Sequence, residues 1–103
     1  MKKLNLSVSL ILIILTGSVK AQCVQTSNTV TFTGLDASNG TIYATLKDGN
    51  NNCNCTAVRF KPENTNTEMA LSILLAAKIA KNKVRIDLID EKSCDTAYRV
   101  YLE

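Results

Sequence analysis

The 103-residue sequence predicts a mainly β domain with one helix, in the order β-β-β-α-β-β. Short segments in which apolar and polar residues alternate indicate strands that are buried on one face. The dipeptide Asn39-Gly40, between the first two segments, is typical of a tight hairpin turn. One longer run, from Met69 to Lys81, is rich in Ala and Leu and contains neither Gly nor Pro, which favours a helix.

The alternation places five strands along the chain. In the first strand Val30 and Phe32 alternate with threonines, so both are expected to face the core, together with Phe60 of the third strand. In the second strand Tyr43 lies on the face opposite the apolar residues. Pro62 ends the third strand, because proline cannot donate a ladder hydrogen bond. The predicted strands are Asn28–Gly34, Thr41–Leu46, Cys55–Lys61, Val84–Ile89 and Ala97–Leu102.

The predicted helix has two apolar stripes. It begins at a capping box formed by Thr65 and Glu68 and ends at Asn82. A wide apolar face is expected to cover the sheet, and a further stripe with i, i+4, i+8 spacing lies on the polar side. Two interpretations of the further stripe are open: loops cover it, or it contacts another subunit. The wide face comprises Met69, Ala70, Ile73, Leu74, Ala76, Ala77 and Ala80, and the further stripe comprises Leu71, Leu75 and Ile79.

Residues 1–21 have the features of a secretory signal peptide. Lys2 and Lys3 form a positively charged start, an uncharged apolar segment follows, and Ala21 ends a small-x-small cleavage motif. The apolar segment is shorter than the roughly 20 residues that span a bilayer, so a membrane span is not expected. We therefore expect residues 22–103 to form one secreted or periplasmic domain.

The formal charge of +3 lies within the predicted signal peptide, which contains three of the 12 basic residues and no acidic residue. The rest of the chain has nine basic and nine acidic residues. A nucleic-acid partner is not expected, because proteins that bind nucleic acids usually carry an excess of basic residues.

The four cysteines follow the predicted cleavage site and predict two disulfides in an oxidising compartment. Cys53 and Cys55 would point to opposite faces of a strand, so they are expected to bond different partners. The favoured pairing is Cys55–Cys94 with Cys23–Cys53. The alternative is Cys53–Cys94 with Cys23–Cys55.

The sequence offers little for catalysis. It contains no His, which is the commonest general base and metal ligand. The cysteine spacing matches neither a four-cysteine zinc site nor a C-x-x-C redox motif. Asp87, Asp90, Glu91 and Asp95 form an acidic group, in which Asp87 is expected to face outward, and a solvated surface is its expected role. We therefore expect no enzymatic activity, no metal and no cofactor.

The stretch LSILLAAKIAKNKVRIDLI, Leu71 to Ile89, resembles the OB-fold B subunits of AB5 toxins. Within that group it is most similar to the binding subunits of subtilase cytotoxin and related pertussis-like toxins. In this stretch and in those subunits, a helix with a buried Leu-Leu-x-Ala run passes through a short polar turn into an alternating strand. The resemblance implies a small OB-fold Greek-key barrel, a homopentamer with helices lining the ring, a catalytic A subunit as partner and a cell-surface glycan as ligand.

The resemblance also implies ligand-binding residues. Ser27, in VQTSNTV, falls where the family has a serine that holds the carboxylate of sialic acid, and a plain turn residue is the alternative. Gln25 and Thr26 stand where the family has aromatic residues. Tyr43 and Tyr101, on outer strand faces, are therefore the candidate surfaces for stacking a sugar. The alternative function is a monomeric periplasmic module that binds or inhibits another protein.

Overall fold

A computed structural model describes residues 23–50 and 52–103, and the predicted signal peptide lies outside the described residues. The described residues form five strands and one helix in the predicted order, which confirms a mainly β domain with one helix. A short 3-10 turn, Cys94–Thr96, precedes the last strand. Within these ranges, no helix is long and apolar enough to cross a membrane. The elements are β1 (Cys23–Leu35), β2 (Ile42–Lys47), β3 (Ala57–Phe60), α1 (Thr67–Ala80), β4 (Val84–Leu88) and β5 (Ala97–Leu102).

The strands close into a barrel in the order β1-β2-β3-β5-β4. Neighbouring strands are antiparallel except β3 and β5, which run parallel and meet at Phe60 and Ala97. β1 closes the barrel because its first half pairs with β4 and its second half pairs with β2. Phe60, Leu74 and Ile86 are among the largest fully buried side chains, so the core lies inside the barrel and under α1.

A bulge in β1 shows that the prediction for Phe32 was wrong. Val30 is buried as predicted, whereas Phe32 is 65% exposed. The register against β2 shifts between these two residues. An extra residue at a bulge reverses the alternation that follows it, so Phe32 lies on the outer surface. In β2 and β3 the alternation is regular, and Phe60 is buried while Tyr43 lies outside.

The ends of α1 are capped by residues other than the predicted capping box. Asn66, not Thr65, is the N-cap, and its Oδ1 accepts a 3.0 Å hydrogen bond from the Met69 backbone N–H. At the other end Lys81 has φ 60°, in the left-handed region. The Asn82 N–H then donates to a carbonyl oxygen of the last turn. This left-handed termination ends the helix without leaving all its last carbonyl groups unpaired.

The face that α1 turns toward the barrel is narrower than predicted. Leu74 is fully buried at its centre, with Ala70 and Ala77 beside it. Leu71 and Ile73 pack against the edge of the core and are half-buried. The small alanine side chains let the helix approach the sheet closely. The other members of the predicted face, Met69, Ala76 and Ala80, are exposed.

Two disulfides, Cys23–Cys53 and Cys55–Cys94, form the pairing favoured from the sequence. Both Cys53 and Cys55 precede β3 instead of opening it, so their divergence has another cause. Asn54 between them has φ 56°, a left-handed conformation that Asn tolerates better than most residues. The bridges span sequence separations of 30 and 39 residues. Each is expected to stabilise the folded state by about 3–4 kcal/mol in the chain-entropy account.

β1 turns between its two halves around a buried polar network. Ser27 has φ 62°, and the register against β4 shifts between Gln25 and Asn28. The Gln25 Nε2 donates to the Asn28 Oδ1 at 2.6 Å and to the Cys55 carbonyl oxygen at 3.0 Å. The Asn28 Nδ2 donates to the carbonyl oxygens of Gln25 and Val84 at 2.8 and 2.9 Å. These side chains therefore satisfy backbone groups that the regular ladder does not reach.

We expect Gly49→Ala to lower the free energy of unfolding by about 1–3 kcal/mol, the usual range for an overpacked interior. A Cβ at this position would overlap the Asn28 Oδ1 and lie 2.9 Å from the Gln25 Nε2. Urea unfolding followed by circular dichroism measures the change. Gly34→Ala is the matched control, because its added Cβ would lie 3.6 Å from the Tyr43 ring, an ordinary contact. Equal losses in the two variants would contradict a special constraint at Gly49.

Candidate functional site

The outer surface of β4 and β5 carries two arginines, two tyrosines and one aspartate. Ile86 of β4 and Val100 of β5 point into the core, so the residues flanking them point outward. The register places Arg85 opposite Tyr101 and Asp87 opposite Arg99. A fifth residue, Tyr98, joins them at a bulge. We refer to Arg85, Asp87, Tyr98, Arg99 and Tyr101 as the Arg–Tyr cluster.

Tyr98 reaches this surface because β5 is irregular. The register shifts next to Asp87, so that Leu88 pairs with Ala97 and Tyr98 has no partner of its own. Bulges often turn a side chain toward a new direction in this way. The Tyr98 hydroxyl accepts a 2.8 Å hydrogen bond from Arg99, although the two residues are adjacent in the sequence.

Asp87 is the centre of the cluster and is fully buried. Its Oδ1 accepts a 2.9 Å hydrogen bond from the Arg85 Nε, and its Oδ2 accepts one of 3.2 Å from the same guanidinium. The Arg99 Nε lies 3.4 Å from the Oδ2. The expectation of a solvated Asp87 was therefore wrong. The side chain points out of the barrel, but two long arginine side chains cover it.

The two guanidinium groups are held in fixed orientations. Arg85 lies 5.1 Å from the centre of the Tyr101 ring, and Arg99 lies 4.9 Å from the centre of the Tyr98 ring. Hydrogen bonding to Asp87 raises the pKa of Arg85, and hydrogen bonding to the Tyr98 hydroxyl raises the pKa of Arg99. Both side chains therefore stay positively charged across the physiological pH range.

The cluster is suited to binding an anionic group. Its two cations and one anion leave one net positive charge. The Arg85 and Arg99 side chains are 41% and 47% exposed, and each guanidinium has N–H groups beyond those bonded to Asp87 or the tyrosines. A pocket of about 220 Å³ lies between β5 and the start of α1; Tyr98, Arg99 and Tyr101 line it, and Met69 contributes to its apolar wall. Cations next to flat rings and an apolar wall can hold a carboxylate and a ring-shaped ligand together.

The described residues offer no comparable arrangement for metal binding. No group of three or more Cys, Asp or Glu side chains in the described ranges could hold a metal ion. The acidic residues that lie close together in the sequence do not form one site. Asp87 is buried in the Arg–Tyr cluster, whereas Asp95 bonds to Arg59 on β3.

The three predicted ligand-binding residues lie in different surroundings. Tyr101 belongs to the Arg–Tyr cluster. Tyr43 lies beside Gly34 of β1 and opposite Arg59 of β3. Ser27 is exposed at the turn of β1, where its backbone N–H donates to the Glu103 side chain at 2.9 Å.

Sequence reasoning did not identify the other members of the cluster as ligand-binding residues. The alternation in VRIDL and AYRVY could have placed Arg85 and Arg99 on one outer surface. It could not have placed Tyr98, because the bulge that redirects this residue has no clear signal in the sequence.

The outer side of α1 is the other conspicuous surface. Of the predicted interface residues, Leu71 is half-buried, Leu75 is 42% exposed and Ile79 is 80% exposed. Met69 nearby is 63% exposed. Loops among the described residues therefore do not cover this side, contrary to one of the two interpretations. We refer to Met69, Leu75, Ala76, Ile79 and Ala80 as the outer helix face.

We expect Asp87→Asn to lower the free energy of unfolding by about 1–3 kcal/mol. The amide keeps the shape but removes the charge that separates two guanidinium groups, and its NH2 group faces other donors. Thermal unfolding is the measurement. Asp95→Asn is the control, because Asp95 is 45% exposed and its surface ion pair contributes little. A loss of the same size in the control would show that Asp87 has no special role.

No protein-family model, curated protein or solved structure matches this chain. The resemblance of residues 71–89 to the B subunits of AB5 toxins therefore stays a prediction. For function, the described residues provide the chemistry of the Arg–Tyr cluster and the apolar character of the outer helix face.

Proposed function

We propose that this protein is a secreted, non-enzymatic binding module that recognises a glycan with an acidic group through the Arg–Tyr cluster. The observation that carries this proposal is the placement of Arg85 and Arg99 beside the rings of Tyr98 and Tyr101 on an exposed surface. Guanidinium groups bind carboxylates through paired hydrogen bonds, and aromatic rings offer apolar faces to a sugar.

The barrel topology supports an OB-fold assignment. Five strands enclose the core, the helix lies between β3 and β4, and β3 runs parallel to β5. OB-folds commonly bind oligosaccharides or oligonucleotides on their outer strand surfaces and loops. The two disulfides are compatible with an oxidising, extracellular location.

The outer helix face supports self-assembly as part of the same proposal. Leu75, Ile79 and Met69 are large apolar side chains in contact with solvent. Burial of a fully exposed side chain of this kind contributes about 1.5–3 kcal/mol before the costs of association, and the exposed fractions of 42%, 63% and 80% for Leu75, Met69 and Ile79 reduce this contribution in proportion. A ring of identical subunits, with a catalytic A subunit as a further partner, would place these residues in subunit contacts.

A monomeric interaction module, such as a periplasmic inhibitor, is the second candidate. Leu71 packs against its own core, so one of the three predicted interface residues already has an intramolecular partner. The barrel also closes by itself and needs no neighbouring chain to complete its sheet.

We expect Arg99→Gln to weaken binding of a sialylated or uronic-acid glycan by at least about tenfold, or ~1.4 kcal/mol. The substitution removes the positive charge of the guanidinium and most of the N–H donors near Tyr101. A glycan array on the oxidised protein would identify the ligand, and calorimetry would then compare the variants.

Arg59→Gln is the matched control for this experiment. Arg59 is also an exposed arginine that bonds to carboxylates, those of Asp36 and Asp95, but it lies on β3 outside the cluster. The affinity of the Arg59→Gln variant for the glycan should stay close to that of the unchanged protein. Equal weakening by both variants, or no acidic glycan bound on the array, would count against the proposal.

We expect Ile79→Glu to convert a pentamer-sized species into monomers, because a carboxylate would be buried in the subunit contact. Native mass spectrometry at micromolar concentration measures the change. Lys92→Glu is the control, since it introduces the same carboxylate, with a larger change in net charge (−2 instead of −1), at an exposed loop away from α1. If the unchanged protein is already monomeric, the assembly part of the proposal fails and the second candidate is favoured.

A further inference from the structure

A cleft on another part of the surface carries a local excess of positive charge. Its volume is about 520 Å³, and it shares no lining residue with the pocket beside the Arg–Tyr cluster. It lies between the middle of β1, the end of β2 and the last turn of α1. We call it the lysine cleft, and its polar lining includes Thr29, Thr31, Lys47, Asp48, Lys78 and Lys81.

The charges of the lysine cleft are not neutralised by the described residues. Lys47, Lys78 and Lys81 are exposed, and in the described ranges no carboxylate forms an ion pair with any of them. The one acidic side chain in the lining, Asp48, lies 3.9 Å from the Nζ of Lys83. Its charge is therefore offset by a fourth lysine, and three ammonium groups are left around one cleft.

The preference for cations at a helix C-terminus explains the positions of only some of these lysines. Lys78 and Lys81 follow the general preference for cations at the C-terminus of a helix. Lys81, however, occupies a left-handed position that usually holds Gly or Asn, so capping geometry does not account for a lysine there. Lys47 is the last residue of β2 and Lys83 directly precedes β4, and the helix dipole does not account for their position.

We propose that the lysine cleft binds an oligosaccharide that carries sulfate or phosphate groups. Lysine ammonium groups are compact charges with three donors each, and they suit oxyanions that present several oxygens. The Thr29 hydroxyl, which accepts a hydrogen bond from the Lys83 Nζ, can still donate its own hydrogen to the sugar. The volume lies within the roughly 300–1,000 Å³ typical of small-ligand sites. This inference stands independently of the ligand proposed for the Arg–Tyr cluster.

Calorimetry at low ionic strength tests the lysine cleft with two probes on the disulfide-bonded protein. A heparin-derived tetrasaccharide represents sulfate esters, and glucose 1,6-bisphosphate represents phosphate esters. The double variant Lys47→Gln/Lys78→Gln should weaken binding by at least about tenfold. The control Lys61→Gln/Lys92→Gln removes the same charge outside the cleft and should change the affinity less than about twofold.

Each outcome of this experiment decides the inference. Binding of the tetrasaccharide alone, or of the bisphosphate alone, supports it and identifies the ester. Failure of the unchanged protein to bind either probe overturns it. Equal weakening by the two double variants also overturns it, because the effect would then follow net charge and not the cleft. Circular dichroism of both variants ensures that the comparison is made between folded proteins.

Discussion

The barrel depends on the turn in β1, because this one strand must pair with two neighbours. It runs along β4 first and along β2 afterwards, so its ladder is interrupted between the two. At the interruption, the buried side chains of Gln25 and Asn28 bond to the backbone of Cys55 and Val84. An apolar residue at either position would leave buried backbone groups unpaired, at a cost of about 1–3 kcal/mol each. Polar groups in the interior therefore determine where the sheet can close.

The two disulfides also stabilise the region around the turn in β1. Cys23 begins β1, and its bond to Cys53 fastens the first half of that strand to the loop before β3. Cys55 lies next to the polar network, and its bond to Cys94 fastens the network to the turn before β5. A small domain has a thin core and gains proportionally more from such bridges. The two cysteines of the CNC motif thus fasten two different segments, the start of β1 and the turn before β5, near the end of β4.

Alternation along the sequence predicted the elements and their order, but it could not predict the Arg–Tyr cluster. A period of two is a property of a regular strand, and it fails wherever a bulge inserts a residue. Phe32 and Tyr98 both lie at such irregularities, and the direction of each differs from simple alternation. Asp87 differs for another reason. Its outward direction follows from the pattern, but its burial depends on Arg85 and Arg99, whose approach is a property of the tertiary structure.

A closed barrel restricts how this protein can recognise a partner. In the described sheet every strand has two neighbours, although β3 and β5 meet at one residue pair, so little strand edge is free to pair with a peptide and exposed side chains are the main basis for recognition. The exposed side chains differ by location: apolar on the outer helix face, guanidinium and phenol groups over β4 and β5, and ammonium groups in the lysine cleft. Apolar surface gains most from contact with another protein, whereas the cationic surfaces gain most from anionic ligands in water. The outer helix face shares no residue with the Arg–Tyr cluster or the lysine cleft, but Met69 also lines the pocket beside the cluster, so assembly through the helix would bring a neighbouring subunit to the border of that pocket.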